Sequence, residues 1–134
     1  MKAFYDFKNA LFDIKKHYLK LPKTDRRNFL ENYKQHKLFD ECTKHLKELD
    51  YTVVGIKDEK DSEKFFLSNE VDYSNLLDDR DHVYNIGVFF IPKGLYLPPH
   101  DHPDMLVMSK VLFGEISMVS LDEKDGQNTN SKEE

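Results

Sequence analysis

The chain has 134 residues, 34% of them charged and 39% hydrophobic, with a formal net charge of −5. That size and composition describe one globular domain with a polar bias. They argue against a nucleic-acid-binding protein, which would normally carry a basic stripe, and no apolar run approaches the ~20 residues of a membrane span. The lone cysteine, Cys42, excludes an internal disulfide and suits a reducing compartment. It reads as a small apolar residue on a helix.

In chain order, residues 1–21 read as an amphipathic helix. Phe4, Phe7, Leu11, Ile14, Tyr18 and Leu21 follow 3,4,3,4,3 spacing, and Tyr5, Phe12 and Leu19 are expected to widen that stripe. Pro22 ends it. The first 30 residues hold eight basic side chains against three acidic ones. This leaves a mitochondrial presequence open, although transit peptides carry fewer acids and more serine. No secretory h-region is present, so the expected location is cytoplasmic, with mitochondrial as the second choice.

A second helix is expected from Thr24 or Asp25, both good caps, with Phe29, Leu30 and Tyr33 on one face. A third stretch carries Leu38, Phe39, Cys42, Leu46 and Leu49 at helical spacing. The pattern does not say whether these are one helix or two. His36 and His45 lie among lysines and read as solvated helix residues.

From Tyr51 the pattern changes. "KDEKDSEK" (57–64) reads as a loop, and "VYNIGVFFI" (83–91) as a strand rich in β-branched and aromatic residues. "MLVMSKVLF" and "EISMVSL" flank Gly114 and predict a hairpin turning there. The expectation is an α+β chain: a helical region at 1–50, a partial β domain at 51–121 and a flexible polar tail at 122–134.

The chemistry concentrates in "GLYLPPHDHPDMLVMSKVLFG" (94–114). Residues i and i+2 of an extended chain point to the same side, so His100 and His102 can ligate one ion while Asp101 points away. Pro98, Pro99 and Pro103 stiffen the approach. Neutral imidazoles suit Fe(II), Zn(II), Ni(II) or Cu(II). The pair alone is a weak signal.

Its frame is more specific. Gly94 stands six positions before His100, with five residues between, and Gly114 twelve positions after His102. This resembles the first cupin signature, G-x5-H-x-H-x4-E-x6-G, with Val107 at the glutamate position. The stretch from His100 to Gly114 further resembles the family of cysteamine (2-aminoethanethiol) dioxygenase and plant cysteine oxidase, in which H-x-H-P-G-M leads to K-V-L-x-G. Pro103, Met105, Lys110, Val111, Leu112 and Gly114 match, and Asp104 replaces the glycine. The resemblance is good over residues 83–122 and looser back through "LFDECTKHLKELD".

The resemblance implies a cupin-type jelly-roll barrel and a mononuclear Fe(II) held by three histidines, His100 and His102 among them. It also implies O2-dependent oxidation of a thiol, cysteamine or an N-terminal cysteine, to a sulfinic acid. No histidine follows His102, and the earlier ones are His17, His36, His45 and His82. His82, in "DDRDH", reads as exposed loop. The chain thus holds the first strands of an apparently incomplete barrel, inactive alone for want of a third ligand. Three explanations stand: a truncated or split product, a chain completed by a protein partner, or a degenerate non-catalytic cupin serving as a structural or interaction subunit. A zinc cupin of other activity is a further reading.

Overall fold

The computed structural model describes residues 2–62 and 70–121, with the backbone of 123–124 and 127–128. Helix α1 spans Lys2–Lys20, α2 Lys23–Glu31 and α3 Lys37–Glu48. A 3-10 turn at Tyr33–Gln35 separates α2 from α3, so the second and third helical stretches are distinct. Pro22 occupies the N-cap of α2 without a side-chain hydrogen bond, two or three residues before the Thr24 or Asp25 cap expected from capping propensity. Proline's fixed φ and its missing N–H suit a helix entrance.

The core lies between α1 and α3, closed by α2. Phe7, Ala10, Leu11 and Ile14 of α1 meet Phe29, Phe39, Cys42 and Leu49. The primary 3,4 stripe of α1 is therefore the buried face. Tyr5, Phe12 and Leu19 do not widen it; all three are exposed. Each heptad turns 700°, so these three stack on one another, on a different side of the helix from the stripe they were expected to extend. Burial pushes the Cys42 thiol up to about 11, so it is a packing residue, as its helical setting implied.

His36 and His45 are not solvated helix residues. The His36 ring meets Phe29 edge-on at 4.7 Å and lies 5.2 Å from His17. His45 is half-buried, with Glu41 and Glu48 within 3.7 and 3.5 Å. Lysine neighbours in sequence point outward, while these two face the packed side.

After a 3-10 turn at Tyr51–Val54, capped by Asp50, comes α4 (Glu59–Ser62). This single helical turn sits inside the stretch read as loop. Strand β1 (Asp72–Asp78) then pairs antiparallel with β2 (Asn85–Phe90), in a register from Asp72↔Phe90 to Asp78↔Asn85 with an irregularity between Asn75 and Leu77. On β2, Ile86, Val88 and Phe90 face inward, while Asn85, Gly87 and Phe89 face out. The predicted strand is thus present, shorter at its start because Val83 and Tyr84 belong to the turn. Within the expected tail, β3 (Glu123–Lys124) pairs with β4 (Gln127–Asn128). The rest of that tail lies outside the described residues. The class is α+β, and its open two-stranded sheet agrees with an incomplete cupin barrel.

The hairpin expected around Gly114 does not form. Gly114 adopts φ +81, a turn geometry, but no strand runs through 105–119. The chain there keeps the alternation of a strand without a partner. Leu106, Met108 and Leu112 pack against the helical core, and Met105, Val107, Val111 and Phe113 are exposed. Lys110 shares the inward side and donates to the carbonyls of Lys47 and Leu49 at the end of α3. An ammonium there satisfies carbonyls left open by the helix and complements its dipole.

The β1–β2 hairpin is held to α1 by a buried ion pair. Lys15 Nζ lies 2.7 Å from Asp79 and 2.8 Å from Asp81, with the Lys15 and Asp79 side chains 10% and 7% exposed. Asp79 also accepts from the Val83 N–H at 3.0 Å and so shapes the turn. Desolvation pushes the Asp79 pKa up, but the hydrogen bonds from Lys15 and Val83 and the Lys15 charge outweigh it, leaving a net depression. Bonds to Asp79 and Asp81 raise that of Lys15.

Two outcomes follow. The depressed carboxylate contributes stability that is present above the unfolded Asp value of about 4 and lost as pH falls through the lower folded value. The raised lysine contributes below about 10.4, losing its share as pH rises beyond that. Urea melts should therefore show the bridge's contribution as a plateau between these limits, and Asp79→Asn should flatten the acid limb. Lys110→Met should cost about 1 kcal/mol from the lost helix-end contacts, read as a lower urea midpoint with an unchanged m-value.

Candidate metal centre

The motif lies on irregular extended chain between β2 and the 105–113 segment. Pro92–Gly94 makes a turn, with the Leu95 N–H donating to Pro92 O at 3.1 Å and Gly94 at φ +86. The proline-stiffened run that follows delivers His100 and His102 side by side. Their ring centroids lie 4.7 Å apart at an interplanar angle of 83°. The same-side placement expected from i, i+2 spacing is realised without a strand ladder.

His100 Nδ1 lies 2.9 Å from the Pro98 carbonyl oxygen. A carbonyl only accepts, so in the neutral imidazole this contact assigns the proton to Nδ1 and leaves the Nε2 lone pair for a ligand. Backbone carbonyls commonly orient metal-binding imidazoles in this way. Both rings are exposed.

Past His102 the chain reverses. Met105 N–H donates to His102 O at 3.2 Å, and Asp104 stands at φ +58. This is the position where the H-x-H-P-G-M pattern has glycine. Asp104 takes a left-handed conformation that glycine adopts without strain and that Asp tolerates better than most side chains. Arg27 of α2 approaches its carboxylate at 3.9 Å, a loose surface pair. Gly94, Asp104 and Gly114 all have positive φ, so the frame recognised in the sequence is a set of three left-handed turns.

The histidine pair offers two of the three imidazoles that a three-histidine iron site needs. Among the described residues no third donor joins them. The candidate metal-binding group of three that the described residues contain lies elsewhere: Asp6 on α1 with His45 and Glu48 on α3. There Asp6 is paired with Lys2 at 3.0 Å. The i, i+3 spacing of His45 and Glu48 was visible in the sequence, but Asp6 joins them only through helix packing. Val107, at the cupin glutamate position, is exposed and brings no donor. His82 sits exposed in the β1–β2 turn at φ +58, as a loop residue.

A family model described as PCO_ADO matches residues 31–134. The chain belongs to that family. It is 46% identical over 39 residues to a "Probable 2-aminoethanethiol dioxygenase" of Dictyostelium discoideum, covering 29% of this chain and 18% of that protein. It is 40% identical over 42 residues to the 2-aminoethanethiol dioxygenases of Mus musculus and Homo sapiens, covering 31% of this chain and 16% of each. The aligned stretch thus spans less than a fifth of these relatives. No solved structure matches. The histidine pair lies inside the matched region, and most of the helical N-terminus, including α1, lies outside it.

A side chain with Cβ at φ +58 is strained, more so for residues that cannot hydrogen-bond locally. Asp104→Gly should be near neutral in stability, since relief of strain offsets the added freedom of the unfolded chain. Asp104→Val should cost about 1–2 kcal/mol. Thermal melts of the two variants check the pair.

Proposed function

We propose that this chain is the histidine-pair portion of an iron-dependent thiol dioxygenase. The observation that carries the reading is the ring-to-ring placement of His100 and His102 inside the family's turn frame. His100 presents Nε2, oriented by the Pro98 carbonyl, and His102 supplies the second imidazole. Neutral nitrogen donors are suited to Fe(II), which when bound supplies the common meeting point for O2 and a thiolate. In the overall reaction both atoms of O2 end on sulfur, so a thiol becomes a sulfinic acid. Cysteamine, or a peptide with an N-terminal cysteine, is the substrate class.

All six histidines of the sequence lie among the described residues and only this pair is at the site, so the third imidazole comes from a protein partner or a segment outside these 134 residues. The exposed side chains of Met105, Val107 and Val111 support this, because they have the alternation of a strand awaiting a neighbour. The same two observations, a missing third donor and an apolar row, also favour a second reading: a degenerate, non-catalytic member that serves as a structural subunit.

Anaerobic titration with Fe(II), followed by dialysis and metal analysis, separates these readings. The catalytic reading expects iron to bind the chain and to be lost by His100→Ala and by His102→Ala. With a third donor restored, it expects O2 uptake on adding cysteamine or an N-terminal-cysteine peptide. Equal iron binding by wild type and His100→Ala overturns it. Retention of zinc in preference to iron points to a metal cupin of other activity.

A further inference from the structure

The outer face of α1 is a patch of a different kind. Tyr5, Phe12 and Leu19 recur every seventh residue and are 61%, 47% and 43% exposed. They form a rod of apolar tips along one side of the 19-residue helix. Lysines border it. Lys8 and Lys16 lie four residues either side of Phe12, and Lys20 follows Leu19. The ammonium groups of Lys15 and Lys16 lie 5.9 and 5.2 Å from the Phe12 ring centroid, and Lys8 reaches the Phe4 ring at 5.6 Å. Lys15 is committed to Asp79 and Asp81. Asp13 partly offsets Lys16 at 3.2 Å, and Asp6 offsets Lys2.

The charge is polarised along the chain. The first 30 residues carry eight basic and three acidic side chains, and the remaining residues carry twelve and 22. On α1 itself Lys2, Lys8, Lys15, Lys16 and Lys20 stand against Asp6 and Asp13, so the helix carrying the stripe is net positive in an acidic protein.

We infer that this face of α1 docks on an anionic lipid surface. Aromatic and aliphatic tips enter the headgroup boundary while flanking lysines meet lipid charge, as in interfacial amphipathic helices. A second copy of the chain fits poorly. Antiparallel pairing about Phe12 sets Lys8 against Lys16, and parallel pairing sets each lysine against itself. One apolar residue per heptad is also too narrow for a coiled-coil seam, which uses two. The face is separate from the histidine pair, so the inference stands or falls independently of the proposed activity.

The test is co-sedimentation of the full chain with vesicles of phosphatidylcholine alone or with phosphatidylserine added. Binding should appear only with phosphatidylserine and weaken as salt rises. Lys8→Gln, Lys16→Gln and Lys20→Gln together should lower affinity roughly 100-fold, about fivefold per lysine. Phe12→Ser should lower it about tenfold. Asp13→Asn should raise it by freeing Lys16, a gain that no folding defect imitates. Absence of binding, equal binding to both vesicle types, or capture of an acidic peptide without vesicle binding overturns the inference.

Discussion

A two-stranded sheet is at best marginally stable alone in water, and the attachments of the β1–β2 hairpin answer that constraint. The helical layer supplies the missing support. Ile86 and Tyr84 of the hairpin region, and Leu106, Met108 and Leu112 of the later segment, all lean on the cluster built by α1, α2 and α3. Two charged contacts fix the lean. Lys15 fastens the hairpin turn through Asp79, and Lys110 fastens the segment after the histidines to the end of α3. The histidine motif hangs between these two points of attachment.

That arrangement gives the family's pattern a physical meaning. Lys110 is recognisable as a motif residue, and its role here is to close helix carbonyls rather than to touch the site. Asp104, at the pattern's glycine position, makes a left-handed turn after His102. Pro98 contributes through its carbonyl, which fixes the His100 tautomer. The histidine pair is thus positioned by backbone reversals and one main-chain hydrogen bond, with little help from packing. This fits two imidazoles that remain exposed.

Much of the helical half was legible because a 3.6-residue period marks buried positions clearly: Phe7, Leu11 and Ile14 are buried as the spacing requires. The same reasoning overreached at Tyr5, Phe12 and Leu19. Hydrophobicity identifies a helix face but does not say that something covers it. His36 and His45 were misjudged because lysine neighbours say little about the opposite side of a helix. In the β half, β-branched and aromatic content located the strand at β2, and the inward set at 106, 108 and 112 emerges only from the packing. Residue content could not supply the pairing. Strands need partners, and residues 105–113 have none among the described elements, so the expected hairpin is absent while its pattern survives. The histidine pair was legible from spacing alone; the Pro98 contact and the Arg27–Asp104 approach depend on loop geometry and were not.

The central claim is that His100 and His102 together offer two imidazoles to one iron. X-ray absorption of Fe(II) added anaerobically to the chain measures this directly, because imidazole rings scatter characteristically beyond the first coordination shell. The account predicts two imidazoles per iron in the wild type and fewer in His100→Ala. Wild-type spectra without imidazole scattering, or unchanged by that substitution, would contradict it.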